Sequence, residues 1–336
     1  MAWPTYTLVT GATGFIGAHV VDTLLSRGFR VRGTTRSKAK GDAMLASRPQ
    51  ATHASLLDFL VIDDFVAPNV DLSAALEDNE AELILPAING VKAVLSAAAA
   101  AGTVRRVVIT SSFAAVLDVG RAQKASQYFT YTSRDWNPLT YEEAAGAETS
   151  AVVAYRGSKK FAELAAWEFV KNFEGRLSFD LVPPDDLWAS AVANQQGKAL
   201  PVARVPFWID VRDLAEAHVE ALVRREAGGK RYLVASPERF SYGMAADVIE
   251  NEFPEFRRRG GEEVERQVTD ESHGVDGNTA AEELGISYRV FQETSRRFGE
   301  AGCSDVTPCC PPHTHDLIDP GSMNARPNRS FPLHRC

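Results

Sequence analysis

The sequence predicts an α/β fold in which a doubly wound parallel sheet carries a smaller C-terminal lobe. Apolar, strand-like runs alternate with helical segments through the first half of the chain. A glycine-rich loop joins the first predicted strand to the first predicted helix, and the alternation loosens after Pro183. Such alternation is typical of a parallel sheet covered by helices on both faces. With 336 residues, of which 45% are hydrophobic, the chain can form one large domain or two modest ones.

The predicted elements follow this alternation. The strands of the first half are expected near Tyr6 to Val9, Arg30 to Thr35, Phe59 to Ile62, Arg106 to Thr110 and Ser178 to Val182. The helices are expected near Ile16 to Arg27, Glu80 to Ala101 and Ser150 to Asn172. Beyond Pro183 we expect strands near Phe207 to Val211 and Arg231 to Ala235, and helices near Leu214 to Arg224, Tyr242 to Glu252 and Thr279 to Leu284. Asp213 is the predicted N-cap of the first of these helices, and the strand near 231–235 is expected to return to the sheet.

The loop Thr10 to Gly17 predicts a dinucleotide site of the Rossmann type. It follows the first strand and opens the first helix, so its backbone N–H groups and the positive helix end point at a pyrophosphate. Gly11 permits a tight turn, Gly14 lets the backbone approach the phosphates, and Gly17 lets the helix lie close to the strand. The alternative is a glycine-rich turn without chemical meaning, but strand, loop and helix are all present. The cofactor-binding residues expected here are Gly11, Thr13, Gly14, Phe15, Ile16 and Gly17.

The end of the second strand indicates NADP rather than NAD. Sites that prefer NAD usually carry an acidic residue here, which binds the ribose 2′-hydroxyl. This chain has Arg36, whose planar guanidinium suits a 2′-phosphate, and Lys40 adds a second positive charge four residues later. A solvated basic turn is the alternative. We therefore expect NADP(H) as the cofactor, with Arg36 and Lys40 beside its phosphate.

Two groups of residues carry the expected chemistry. Tyr155 and Lys159 are four residues apart in a helical stretch, so both side chains emerge on one face. An unperturbed tyrosine, with a pKa of about 10, exchanges protons poorly near neutral pH, and a nearby ammonium lowers that pKa. Ser111 and Ser112 follow a predicted strand at the carboxyl edge of the sheet, where one of them can hydrogen-bond a substrate carbonyl. Each signal is weak alone, because such residues occur at these spacings in many chains.

The order of these three motifs resembles the extended short-chain dehydrogenase/reductase family. The chain is similar in particular to the branch of dihydroflavonol reductases, cinnamoyl-CoA reductases and fungal aldehyde or ketone reductases, with interruptions, from Tyr6 to about Phe298. The segments that carry the resemblance are Val9 to Arg36, Ile109 to Val116, Asp135 to Pro138, Tyr155 to Trp167 and Val211 to His218.

The resemblance implies a site and a reaction. Tyr155 is then the general acid that protonates the carbonyl oxygen, and Lys159 tunes it and holds the nicotinamide ribose. Ser112, rather than Ser111, orients and polarises the carbonyl, and Asp64 meets the adenine. The implied activity is the NADPH-dependent reduction of an aldehyde or ketone to an alcohol, which makes the chain an oxidoreductase acting on CH-OH donors.

The chain departs from this family in two places. Relatives have a further strand before the helix near Glu80, but here Asp71 to Glu77 runs straight on, so the central strand is expected to be missing near 77–79. Relatives also have a longer cofactor-lining loop than the one at 182–187. These departures keep open the alternative of a catalytically impaired relative that still binds NADP. A sugar-nucleotide epimerase of the same superfamily is a less favoured alternative, because the Trp136 region and the Arg36 turn resemble those of reductases.

The remaining expectations come from composition. The formal charge of −8, without a concentrated basic stretch, argues against nucleic acid as a partner. We expect no apolar run near the roughly 20 residues of a membrane span and see no signal-peptide layout, so no membrane partner and a cytoplasmic location are predicted. A small-molecule carbonyl substrate is the expected partner, and oligomeric state is left open.

The predicted division of the chain has three parts. Residues 1–182 form an NADP-binding domain, 183–302 a substrate lobe, and 303–336 a disordered tail rich in Pro, Cys and His. All four cysteines lie in this tail. They lack the regular pairs of a structural zinc site, so no metal is predicted.

Overall fold

The computed structural model describes residues 6–62, 79–121, 128–173, 205–252 and 272–294. Its N-terminal part is a parallel sheet of three strands, β1 (Tyr6–Val9), β2 (Arg30–Thr35) and β3 (Leu57–Val61), with β2 in the middle. The connecting helices are α1 (Phe15–Ser26), α2 (Lys38–Ala46) and α3 (Pro49–His53). The parallel pairing and the alternation of strands with helices confirm the predicted α/β class.

A shared apolar core fixes α1 on this sheet. Val21 and Leu24 are three residues apart, so they lie on one face of the helix, and they pack with Val9, Val31 and Leu57 from the three strands. All five side chains are less than a tenth exposed. Because burial of apolar surface favours this packing, the loop between β1 and α1 is held at the carboxyl edge of the sheet.

The described part of the rest of the chain is mostly helical. A π-helical turn, Glu80–Ile84, leads into α4 (Leu85–Ala101), and a 3-10 turn follows at Phe113–Ala115. A second parallel pair joins β4 (Phe129–Tyr131) to β5 (His273–Val275). The further helices are α5 (Tyr141–Ala145), α6 (Ala151–Asn172), α7 (Val211–Val223), α8 (Tyr242–Glu252) and α9 (Asn278–Leu284).

One helix corrects the expectation about apolar runs. Glu80–Ala101 is long and apolar enough to cross a membrane by length and composition, so the prediction that no run approaches that length is wrong on this criterion. A single helix of this kind is weak grounds for a membrane span, because core helices and signal sequences pass the same test. Here Leu95 of α4 packs against Ala166 of α6, among half-buried apolar neighbours from both helices.

Three predicted strands are not strands within the described ranges: 106–110, 207–211 and 231–235. The first segment is anchored by side chains to α7. Arg106 donates to the carbonyl of Ala221 at 2.7 Å, and Thr110 Oγ1 lies 2.7 Å from His218 Nε2. A ladder requires a neighbouring backbone at about 4.8 Å, which an apolar composition alone does not supply.

The N-terminus of α7 is also corrected. Its N-cap is Asp210 and not Asp213, since the Asp210 carboxylate accepts the Arg212 N–H at 2.8 Å. Asp213 lies inside the first turn, where it accepts the Arg289 N–H at 2.7 Å.

Several predictions fall outside the described residues. They are the strand near 178–182, the missing strand near 77–79 apart from its last residue, the shortened loop at 182–187, the domain boundary after residue 182, and the tail 303–336.

Candidate active site

The glycine-rich loop joins β1 to α1 in a tight turn. Gly11 has a φ of +63°, in the left-handed region that favours glycine, and its carbonyl accepts the Gly14 N–H at 2.9 Å. The loop is tied to the end of β2, because the Gly11 N–H donates to Thr34 Oγ1 at 3.3 Å and the Ala12 N–H to the Thr34 carbonyl at 3.2 Å. Within the described chain, no side chain caps α1 at Gly14 and no acidic residue lies in its first turn. Its first N–H groups can therefore bind an anion.

Two glycines allow the loop to pack closely. A Cβ on Gly17 would lie 2.2 Å from the Gly11 carbonyl oxygen, and a Cβ on Gly33 of β2 would lie 2.7 Å from the Ala12 Cβ. Both distances are shorter than van der Waals contact, so a larger residue would displace the loop or the strand. The backbone cradle that a phosphate group needs is thus present.

The other predicted loop residues lie in different environments. Thr13 Oγ1 is 3.3 Å from Thr35 Oγ1, which adds a side-chain link to β2. Phe15, at the first position of α1, is 55% exposed. Ile16 packs against the buried cluster around Leu214 of α7.

The two predicted cations lie on the surface beside this loop. Arg36 directly follows β2, Lys40 lies in the first turn of α2, and both are exposed. No ion pair of either side chain is found among the described residues, whereas the neighbouring Lys38 pairs with Asp42 at 2.7 Å. Two cations without such a partner fit a phosphate monoester. Asp64 lies outside the described residues.

The two candidate serines have different partners. Ser111 donates its hydroxyl to Glu163 Oε2 of α6 at 2.7 Å. Ser112 is 7% exposed and caps the 3-10 turn, where its oxygen accepts the Ala114 N–H at 3.1 Å. That bond uses the Ser112 oxygen as an acceptor and leaves its hydroxyl proton as a donor, whereas the proton of Ser111 is committed to a carboxylate.

Tyr155 and Lys159 lie one turn apart on α6. The Lys159 Nζ is 5.1 Å from the centre of the Tyr155 ring, and the Tyr155 side chain is 39% exposed. Glu163 continues the same i, i+4, i+8 stripe and is buried. It forms an ion pair with Arg231, whose Nε lies 2.6 Å from Glu163 Oε1.

Contacts through α7 link the cofactor loop to the serines. α1 packs on α7, and Thr110, two residues before Ser112, lies against His218 of α7. Burial lowers the pKa of His218 to about 4, and its Nδ1 is 2.8 Å from the Leu214 carbonyl. His218 is therefore neutral near pH 7, with Nδ1–H as donor and Nε2 as acceptor from the Thr110 hydroxyl.

Sequence reasoning missed three residues that shape this site. For Gly33 the sequence did carry a signal, since a glycine inside a strand indicates close approach of another chain segment. For Glu163 the signal was its position four residues after Lys159 on the same helix face. Its partner Arg231, 68 residues away, could not be predicted from that spacing. Asn137 lay in a segment of the family resemblance but received no role; its side chain bonds the backbone on both sides of the site.

Comparisons with known proteins agree with this geometry. Residues 11–151 match a family model described as NAD(P)H-binding. The chain is 35% identical over 323 residues to an oxidoreductase of Schizosaccharomyces pombe, covering 85% of this chain and 93% of that one. It is 30% identical over 331 residues to the NADPH-dependent methylglyoxal reductase GRE2 of Saccharomyces cerevisiae, covering 85% and 94%. It is also similar to the crystal structure of Gre2 from Candida albicans in complex with NADPH, with a TM-score of 0.73 and 29% identity over 86% and 96% of the chains. The chain therefore belongs to the extended short-chain dehydrogenase/reductase family and is an NADPH-dependent oxidoreductase of the branch that contains these fungal reductases.

Proposed function

We propose that this oxidoreductase reduces a small aldehyde or ketone to an alcohol with Tyr155 as the general acid. The observation that carries the proposal is the pairing of Tyr155 with Lys159, whose ammonium lies 5.1 Å from the tyrosine ring. An ammonium this close favours the phenolate and so makes the phenol a better proton donor. The exposure of Tyr155 leaves room for a substrate to reach it. Its role is to deliver a proton to the carbonyl oxygen as charge develops there.

Ser112 is the proposed second contact to the carbonyl oxygen. Its own oxygen is fixed by the Ala114 N–H, so the direction of the hydroxyl group is restrained while its proton can be donated. A donor held in advance stabilises developing negative charge without reorganisation. Ser111 is less suited, since its hydroxyl donates to Glu163.

The glycine loop and the two surface cations are the proposed cofactor site. Backbone N–H groups of Gly11 to Gly17 would hold the pyrophosphate, and Thr13, Phe15 and Ile16 belong to this stretch. Arg36 and Lys40 would bind the 2′-phosphate, and Lys159 the nicotinamide ribose. When bound, NADPH supplies the hydride, while the protein supplies orientation and the proton.

The name of the Saccharomyces cerevisiae relative suggests the substrate class. That protein is called a methylglyoxal reductase, so we propose small carbonyl compounds, 2-oxoaldehydes among them, for this chain.

The test compares NADPH binding with NADPH consumption. With methylglyoxal and a panel of aliphatic and aromatic aldehydes, Tyr155→Phe is expected to lower kcat at least about 100-fold, because a general acid contributes 10²–10⁴-fold. NADPH affinity, measured by fluorescence titration, should stay within about twofold. Tyr141→Phe is the matched control, since it removes a tyrosine hydroxyl that donates to Glu80 at 2.7 Å, and it should keep its turnover.

Three outcomes would overturn the proposal. NADPH binding without turnover of any carbonyl would support the alternative of an impaired relative. Equal turnover by wild type and Tyr155→Phe would remove Tyr155 from the acid role. Turnover of a UDP-sugar in place of the carbonyl panel would favour the epimerase alternative.

A further inference from the structure

Asn137 is a fully hydrogen-bonded polar residue beside the catalytic helix α6. It is 1% exposed, and each of its polar groups has a partner. Its N–H donates to the Ala115 carbonyl at 2.8 Å, its Nδ2 donates to the carbonyls of Ala114 at 2.6 Å and Arg156 at 3.2 Å, its Oδ1 accepts the Leu139 N–H at 3.2 Å, and its carbonyl accepts the Lys160 ammonium at 2.9 Å. A buried amide with this many bonds holds its surroundings in one arrangement.

The bonds of the side chain join the two halves of the proposed site. Ala114 lies in the 3-10 turn that Ser112 caps, and Arg156 directly follows Tyr155 on α6. One planar NH₂ group therefore ties the backbone at Ser112 to the backbone at Tyr155. The two segments are more than 40 positions apart in the chain, and the Asn137 amide spans them directly.

Lys160 holds the same loop one helical turn after Arg156 on α6. Its ammonium donates to the carbonyls of Asn137 at 2.9 Å and Leu139 at 2.7 Å, and burial lowers its pKa. Lys159 lies against Tyr155, whereas the adjacent Lys160 anchors the Asn137 loop. The loop is thus fixed to α6 at Arg156 and at Lys160, which directly follow Tyr155 and Lys159 in the helix.

We propose that Asn137 is a positioning residue, whose side-chain amide sets the separation between the Ser112 hydroxyl and the Tyr155 hydroxyl. The inference rests on the proposed function, in which both hydroxyls contact one carbonyl oxygen. Catalysis is sensitive to such geometry, since a displacement of about 1 Å can cost about 100-fold in rate. Aspartate cannot replace Asn137, because a carboxylate has no hydrogen to donate to the two carbonyls.

The matched control is Asn79. Its Nδ2 also donates to two backbone carbonyls, those of Gly146 at 3.2 Å and Thr149 at 2.8 Å, but it touches neither the Ser112 turn nor the Tyr155 turn. Both Asn79→Ala and Asn137→Ala therefore remove an amide that donates to two backbone carbonyls. Only Asn137→Ala removes it from a position next to the proposed catalytic residues. We expect Asn137→Ala to lower kcat about tenfold to 100-fold with unchanged NADPH affinity, and Asn79→Ala to keep kcat within about twofold.

A double-mutant cycle tests whether Asn137 acts through Ser112. Ser112→Ala is expected to lower kcat about 100-fold in the wild-type background, as loss of an oxyanion donor does, but less than about fivefold in Asn137→Ala. A merely structural residue would instead give independent effects that multiply. Asn137→Ser, which keeps one hydrogen-bond donor, should give an intermediate kcat. If Asn137→Ala does not fold, Asn137→Ser replaces it in the double-mutant cycle.

The outcomes separate this inference from the proposed function. If Tyr155→Phe and Ser112→Ala both keep full turnover, the proposed function fails. If both lose turnover but the Asn137 and Ser112 effects multiply, or Asn79→Ala loses as much kcat as Asn137→Ala, only the positioning role fails. Non-additive kcat with unchanged NADPH binding supports it.

Discussion

The cofactor loop and the catalytic helix α6 are held in place by different means. The loop is shaped by its backbone: the φ of +63° at Gly11, the turn that closes at Gly14, and the close contact at Gly17. α6 is held by side chains from distant parts of the chain, such as Asn137 and Arg231. A loop of this kind needs only a few glycines at fixed spacing, whereas the helix depends on partners from other parts of the chain. Substitutions are therefore expected to affect cofactor affinity in one region and stability or turnover in the other.

The largest expected effect is the loss of the buried ion pair behind α6. Glu163 and Arg231 are 1% and 7% exposed at their side chains, so Glu163→Ala leaves a guanidinium largely out of water. Removing one partner of a buried pair costs about 3–5 kcal/mol of unfolding free energy. Urea unfolding monitored by fluorescence measures the loss. Glu168→Ala, an exposed position on the same helix, should change the free energy of unfolding by less than about 0.5 kcal/mol.

A second variant sharpens this prediction. Replacing both partners, as Glu163→Met with Arg231→Met, removes the unpaired charge and should recover part of the lost stability. If Glu163→Ala costs less than about 1 kcal/mol, side chains from distant residues do not hold α6 as described.

The next-largest effect is expected in the cofactor loop, whose shape is set by its backbone. Gly17→Ala places a Cβ 2.2 Å from the Gly11 carbonyl oxygen, and such overpacking costs about 1–3 kcal/mol. Since the strained atoms belong to the loop, we expect NADPH affinity to fall about tenfold or more in a calorimetric titration.

The control for Gly17 is Gly102, which ends α4. It has a φ of +65° and open space around its Cβ position, so Gly102→Ala should lose about 1 kcal/mol of stability through backbone strain alone. Its NADPH affinity should not change. An equal loss of affinity in both variants would show that general destabilisation, and not the loop, controls binding.

The same contrast explains what the sequence could predict. The loop between β1 and α1, the spacing of Tyr155 and Lys159, and the ends of α1 and α6 are local features, so residue order and glycine positions were enough. The segment 106–110 has the composition of a buried strand, but pairing depends on a neighbour that local sequence does not specify. The hydrogen bonds of Asn137 could not be predicted from the sequence either, because an asparagine before a proline also suits an ordinary turn.

The smallest expected effect concerns Arg36, a part of the proposed cofactor site that depends on a side chain. Arg36 is exposed, so Arg36→Ala should raise the Kd for NADPH by about tenfold, as expected for a solvent-screened hydrogen bond to a charged group, and this increase should shrink at high salt. The Kd for NADH, which lacks the 2′-phosphate, should stay unchanged. Lys38→Ala is the control, because Lys38 is an exposed cation of the same turn that already pairs with Asp42. If NADH affinity falls as far as NADPH affinity, Arg36 contacts the cofactor elsewhere; if only NADPH is affected, side chains select the cofactor that the backbone loop holds.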